Sequence, residues 1–292
     1  MKERYDKRIK DILNQMTFDE KCNRMTTSFS ELKRLGIMEF YCGGEAAHGL
    51  QERNDQSFDR GNPTYTTVFQ NPIGMSASYD RELIKKAGNI VAIEGRALLN
   101  VNGKGKMCVW APTVDAGRDS RWGRNEECYG EDPFLTGQMA GSYVNGLAYN
   151  EYGYLLMGST LKHFYANNNE EGRTHTSSNM DEKDKWEYYL ETFRQVLKYS
   201  RALGVMASYN AVNGIPSVVN HELKEVLKEC FNLEHVVTDG GGFLPIKNEH
   251  HFTMSHEETV ALALRAGVDM FTDDLKEVTK AVKGRSEERR VG

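Results

Sequence analysis

Long apolar runs are missing from this 292-residue sequence. No stretch approaches the roughly eighteen to twenty consecutive apolar residues that a membrane helix needs, so no helical membrane span is expected. The start, Met1-Lys2-Glu3-Arg4-Tyr5-Asp6, leads straight into a charged amphipathic pattern without the apolar core of a signal peptide. As written, the chain is expected in the cytoplasm. Cysteine is sparse: Cys22, Cys42, Cys108, Cys128 and Cys230 are odd in number, widely scattered and without a CxxC pair. That fits reduced thiols and neither a disulfide framework nor a zinc site. Only six prolines and no low-complexity tract occur, which argues against an internal linker. There is no long basic run, and 37 basic against 42 acidic residues leave a net charge of −5, so no nucleic-acid partner is expected.

What is present is an alternation of two patterns. Short β-branched runs read as strands near 37–41, 67–69, 107–114, 155–164, 204–210, 235–238 and 267–271. Apolar residues at helical spacing mark helices near 6–16, 80–99, 133–149, 181–201, 221–230 and 255–266. Thr17 and Glu20 stand at capping-box spacing, and Ser255 precedes Glu257-Glu258 as a helix cap. Strands alternating with helices mean a parallel sheet with crossover helices. About eight such units in one chain predict the α/β class and a (β/α)8, TIM-barrel-like domain. An open doubly wound sheet is the runner-up, but no Gly-rich phosphate loop follows the first strand.

One stretch focuses the functional reading: His235-Val236-Val237-Thr238-Asp239-Gly240-Gly241-Gly242. A buried strand ends there on a carboxylate, and three glycines clear the space beyond it. Parallel barrels place catalytic groups at such strand tips; a helix cap is the plain alternative, and at this stretch both stay open. The other strand ends carry Glu45 and His48, Arg118 and Asp119, Lys162 and His163, Tyr209 and Asn210, and Asp273-Asp274. Asp273-Asp274 reads as a cap or surface charge and His250-His251 as a solvated loop. His48 is expected to orient backbone. Carboxylates, cations and hydrogen-bond donors gathered at one end suit a small, heavily hydroxylated ligand, because each hydroxyl both gives and accepts a hydrogen bond.

Five further motifs carry a family resemblance. They are Gly44-Glu45-Ala46-Ala47-His48-Gly49; Trp110-Ala111-Pro112 through Arg118-Asp119-Ser120-Arg121-Trp122-Gly123-Arg124; Tyr129-Gly130-Glu131-Asp132-Pro133; Lys162-His163-Phe164; and Met206-Ala207-Ser208-Tyr209-Asn210 with Asn213-Gly214. With the Asp239 stretch, they resemble the N-terminal barrel of family 3 glycoside hydrolases, the retaining exo-β-glycosidases, over about residues 5–275. The resemblance implies Asp239 as nucleophile. It implies Glu45, Arg118, Lys162, His163, Met206 and Tyr209 as the substrate subsite, with no metal and no cofactor. Arg121, Arg124, Glu131 and Asp132 are expected to form a buried ion-pair network bracing a loop. Glucose-preferring members usually carry Asp where Glu45 stands, so the longer Glu45 implies a xyloside preference within the β-xylosidase and β-glucosidase types.

In this family the general acid/base usually comes from a second α/β domain. The reading is therefore a barrel over residues 1–284 of a C-terminally truncated parent, followed by a non-native-looking tail, 285–292, that resembles a translated sequencing adapter. Competing readings are a Schiff-base aldolase using Lys162, a metal-dependent sugar isomerase, a non-catalytic sugar-binding fragment and a β-N-acetylhexosaminidase-type member of the same family. An oligosaccharide or glycoside is the expected partner; oligomeric state is left open.

Overall fold

A computed structural model describes residues 2–51, 65–102, 107–150 and 152–291. Nine strands occur among them: β1 (Ser28–Phe29), β2 (Phe40–Tyr41), β3 (Cys108–Val109), β4 (Gly158–Phe164), β5 (Ser177–Ser178), β6 (Gly204–Ala207), β7 (Ala211–Val212), β8 (Ile215–Pro216) and β9 (His235–Thr238). Strands β3, β4, β6 and β9 lie side by side, all parallel, in that order. Their alternating residues split between two apolar layers, as strand geometry requires. Val205 and Val236 join the main core under the helices, whereas Met206 and Val237 meet Trp110 and Met270 in a separate cluster. That smaller cluster fills the space enclosed by the strands.

Single bridges and main-chain bonds carry the sheet round on itself. Val237 pairs with Met270 and Thr26 with Phe271, both parallel. Cys42 N–H donates to the Thr27 carbonyl (2.8 Å), Gly43 N–H to that of Cys108 (3.2 Å), and Trp110 N–H to that of Gly44 (2.7 Å). The α/β barrel-like class is as expected, but the ring differs from eight uniform units. Among the described residues it runs through seven segments, at 26–28, 40–44, 108–114, 158–164, 204–207, 235–238 and 270–271, and β2 is antiparallel to β1. Residues 67–69 are no strand. The Thr67 N–H and hydroxyl are taken by the Glu94 carboxylate on a neighbouring helix, and Phe69 N–H by the His48 carbonyl.

The helices follow the predicted pattern closely. Arg81–Asn102 and Pro133–Ala148 pack so tightly that a Cβ on Gly146 would sit 2.0 Å from the Lys85 carbonyl oxygen. The Thr17–Glu20 capping box and the Ser255 cap both form. The helix expected over 181–201 is interrupted by a π-helical turn, Lys185–Tyr189, and Leu223–Cys230 is π-helical throughout. The last helix, Leu275–Val291, continues past Gly284, where the sequence pattern predicted no barrel element. No helix among the described residues is long and apolar enough to cross a membrane.

Candidate active site

The parallel strands all deliver their C-terminal ends to one face, and the side chains there converge. Asp239 follows β9 directly, with its main-chain N–H bonded to the Ala207 carbonyl on β6 (3.2 Å). The Gly240 N–H donates to Asp239 Oδ1 at 2.7 Å, which fixes one carboxylate oxygen and leaves Oδ2 facing the cavity side. The Asp239 side chain keeps 18% of its exposure. Burial pushes its carboxyl above the usual carboxylate range, and the Gly240 N–H with Lys162, Arg124 and Arg173 pulls it back.

Lys162 and His163 are successive residues of β4, which would ordinarily face opposite sides of the sheet. Here the register of β4 against β6 shifts between Leu161 and Phe164, and both line the same cavity. Lys162 is only 4% exposed and donates from Nζ to Glu45 Oε2 at 2.8 Å. His163 is held on two sides. Its Nδ1 lies 2.8 Å from Asp115 Oδ2, which also accepts the His163 main-chain N–H at 3.0 Å. Its Nε2 lies 3.3 Å from Arg124 Nη2. Arginine only donates, so Nε2 must accept and Nδ1 carries the proton. Burial first, then Lys162 and Arg124, hold His163 well below the usual histidine range. Burial likewise pushes Asp115 up to about 8, so this contact joins two groups driven towards neutrality. The 3.6 Å approach of Nε2 to Asp239 Oδ2 is accordingly no ion pair.

Arg124 is the central cation. Its Nε and Nη2 grip Glu127 bidentately at 2.7 and 2.8 Å while Nη2 also faces His163. Arg173 Nη1 pairs with Glu170 Oε2 at 2.8 Å, and its guanidinium lies 4.5 Å over the Tyr209 ring. Glu170 also accepts the Trp122 indole N–H at 3.0 Å. Glu45, Arg124, Lys162, His163, Glu170, Arg173 and Asp239 together line a cavity of about 380 Å³. A larger one, about 610 Å³, adjoins it across Glu45, Arg124 and Lys162 and is lined further by His48, Gln51, Asn71 and Glu127. Among the described residues no group of three or more His, Cys, Asp or Glu could hold a metal ion.

Five of the seven predicted site residues sit in or beside this cavity: Asp239, Glu45, Lys162 and His163 in its wall, and Tyr209 as the platform under Arg173. Tyr209 also donates its hydroxyl to the Gly240 carbonyl. Two do not line it. Met206 is buried with Trp110 and Val237 in the barrel interior. Arg118 is exposed; it bonds Asn168 and stacks on Tyr189, 5.3 Å from the ring centre. The arginine that belongs in the cavity is Arg124, six residues on, at the far end of the same motif.

The expected buried network of Arg121, Arg124, Glu131 and Asp132 therefore does not form. Arg121 pairs with Asp119 at the surface, Glu131 is exposed, and Asp132 caps a helix by accepting the Leu135 N–H. His48 does bind backbone, through Nδ1 to the Phe69 carbonyl at 3.2 Å. His250 is half-buried on the Tyr209 carbonyl and is not solvated as expected, whereas His251 is exposed. Asp274 caps the last helix, but Asp273 is no surface charge: it bonds Thr238 and the Phe243 N–H. Three groups in the cavity wall, Arg124, Arg173 and Glu170, were not expected there from the motifs, nor was Asp115, which backs the wall through His163. The signal for the last three was position, since Asp115 follows the segment around Thr113 and Glu170 and Arg173 lie in the polar loop after β4.

Comparison with known proteins decides the family. The model of the glycosyl hydrolase family 3 N-terminal domain matches residues 51–289. The chain belongs to glycosyl hydrolase family 3. A probable exo-1,4-beta-xylosidase, bxlB, of Aspergillus fumigatus is 34% identical over 275 residues, covering 90% of this chain and 35% of that protein. Beta-D-xylosidase 1 of Arabidopsis thaliana is 31% identical over 270 residues, covering 90% and 35%. Among solved structures, the family 3 exo-beta-xylosidase XlnD in complex with a xylobiose aziridine activity-based probe superposes with a TM-score of 0.86 at 29% identity, covering 95% of this chain and 36% of that one. Beta-glucosidase 3B of Thermotoga neapolitana in complex with glucose gives 0.81 at 25% identity, covering 97% and 40%. This family 3 chain thus spans about a third of the length of the curated relatives it matches.

Proposed function

We propose that this chain is the sugar-holding and nucleophile-bearing barrel of a retaining exo-β-glycosidase acting on terminal, non-reducing β-linked sugars. One observation carries the reading: Asp239 stands at a strand tip in a small polar cavity, with Lys162, Arg124 and Arg173 around it. Burial raises the pKa of the Asp239 carboxyl, and the Gly240 N–H with those cations opposes it, favouring the ionised carboxylate that attack requires. Asp239 Oδ2 attacks the anomeric carbon and the bond from that carbon to the leaving oxygen breaks. A general acid protonates the leaving oxygen. Water then cleaves the glycosyl ester, giving up its proton to the same acid/base residue, and Asp239 is freed.

Retaining hydrolysis needs a second carboxyl about 5–5.5 Å from the first. Among the described residues the other carboxylates in the cavity wall are committed: Glu45 to Lys162, and Glu170 to Arg173 and Trp122. The acid/base is accordingly assigned to a part of the protein outside this chain, as the family resemblance suggests. Without it the chain alone is a sugar-binding shell that still carries a reactive nucleophile.

Glu45 supports a xyloside over a glucoside. Its carboxylate is fixed in the cavity wall by Lys162, one methylene further in than an aspartate would reach, where it crowds an exocyclic hydroxymethyl that xylose lacks. The relatives named above as xylosidases point the same way. A clash of this size is worth about 1–3 kcal/mol, so glucosides are disfavoured and not excluded. The test compares inactivation of the full chain by activated 2-fluoro β-xyloside and β-glucoside reagents. The xyloside should react roughly ten-fold faster, and Glu45→Asp should narrow that ratio. A faster glucoside reaction in the wild-type chain contradicts the preference.

A further inference from the structure

The turn that carries Asp239 contains three consecutive glycines, the residue type with the greatest freedom to move. Something must hold it, because a nucleophile misplaced by about 1 Å loses much of its reactivity. Within the turn, Gly242 N–H donates to the Asp239 carbonyl (2.9 Å) and Gly240 N–H to Asp239 Oδ1 (2.7 Å); from outside it, the Thr272 carbonyl accepts the Gly241 N–H (2.8 Å) and the Tyr209 hydroxyl donates to the Gly240 carbonyl. Both ends, however, reach one side chain. Asp273 Oδ2 accepts the Thr238 hydroxyl at 3.2 Å, immediately before Asp239. Asp273 Oδ1 accepts the Phe243 N–H at 3.2 Å, immediately after the glycines. Thr238 is fully buried and is tied a second time to the same segment. Its Oγ1 accepts the Thr272 N–H and its carbonyl accepts the Thr272 hydroxyl, both at 2.8 Å.

We infer that Asp273 is a positioning residue for the proposed nucleophile, clamping the two residues that flank Asp239 and its glycines, Thr238 and Phe243, so that Asp239 is held towards Lys162 and Arg173. It does not line the 380 Å³ cavity, so it acts through the turn and not on the sugar. The inference rests on the reading of Asp239 as nucleophile for its catalytic consequence, but not for the clamp itself.

Two measurements on the full chain separate those parts. The first is amide hydrogen exchange over residues 239–243. Asp273→Ala should speed exchange there at least ten-fold while the helices Arg81–Asn102 and Pro133–Ala148 keep their protection. The second is inactivation by the activated 2-fluoro β-xyloside, read as kinact and KI. Asp273→Ala should lower kinact at least ten-fold and leave KI within about two-fold. Asp273→Asn, which retains an oxygen for the Phe243 N–H, should recover most of kinact. Thr238→Val removes one arm of the clamp with Asp273 intact, and should move both readouts in the same direction if the alanine variant does not fold. Unchanged exchange in folded variants overturns the clamp, whatever the chemistry does. Faster exchange with unchanged kinact overturns the positioning role. A wild-type chain that takes no label refutes the nucleophile reading, and exchange then decides the clamp alone.

Discussion

At the scale of single residues, the cavity is a set of charges whose partners set their roles. Arg124 and Arg118 share one motif but not one fate. Arg124 grips Glu127 and faces His163, whereas Arg118 lies outside on Tyr189. Arg124→Ala should therefore abolish measurable inactivation by the 2-fluoro xyloside, and Arg118→Ala should leave it within about two-fold. Equal losses in folded variants would contradict the assignment. The motif itself did not separate the two. Both are arginines near a strand end, and only the 3₁₀ turn at Asn125–Glu127, which brings Glu127 to Thr113 and Arg124, decides which one turns inward.

Asp115 gives a pH test with a definite sign. Burial raises its folded-state pKa to about 8, against roughly 4 for an unfolded aspartate. The folded chain thus holds a proton that the unfolded chain releases, so its stabilising contribution is fully present below about pH 4 and lost as pH rises through 8. His163 works oppositely, since its depressed pKa costs stability only below about pH 6.5. Asp273, which burial pushes up to about 7, contributes in the same direction below that pH, so the Asp115 effect is read between about pH 7 and 8. Over that window the wild-type unfolding midpoint should fall with rising pH, and Asp115→Asn should flatten the slope. An identical slope in the variant contradicts the assignment.

At the scale of elements, what was legible followed from periodicity. The long amphipathic helices came through because their patterns extend over many residues, and the caps and the buried strands β4, β6 and β9 because their local residue types are distinctive. What failed was short or satisfied from afar. β1 is two residues long, and the 67–69 run lost its strand character to Glu94. Adjacent Lys162 and His163 reach one cavity only because the β4 register shifts, which no period-2 pattern reveals. Helix packing offers the element-scale prediction. A Cβ on Gly146 meets Lys85 oxygen at 2.0 Å, and one on Gly88 meets Tyr143 oxygen at 2.3 Å, so the two long helices touch backbone to backbone. Gly146→Ala should cost about 1–3 kcal/mol in urea unfolding, the usual penalty for overpacking. Gly74→Ala, where a Cβ meets only ordinary contacts, should stay within about 0.5 kcal/mol. A neutral Gly146→Ala would contradict the close approach.

At the scale of the whole molecule, the barrel-like ring is a device for bringing distant residues to one face. Glu45, Lys162, Arg173 and Asp239 are separated by up to 194 positions, from 45 to 239, yet line one cavity because each lies near or after the C-terminal end of a segment of the same barrel-like ring. The strand-end rule found most of them, and stopped short where the polar loop after β4 folds back to bring Glu170 and Arg173 over the site. The central claim is that Asp239 is the nucleophile of this assembly. Its most direct test is inactivation of the purified full chain with a 2-fluoro β-xyloside bearing a good leaving group, which bypasses the need for an acid, followed by peptide mass spectrometry. The account predicts one stable xylosyl adduct on Asp239, lost in Asp239→Asn. An adduct on another residue, or none in a folded chain, would contradict it.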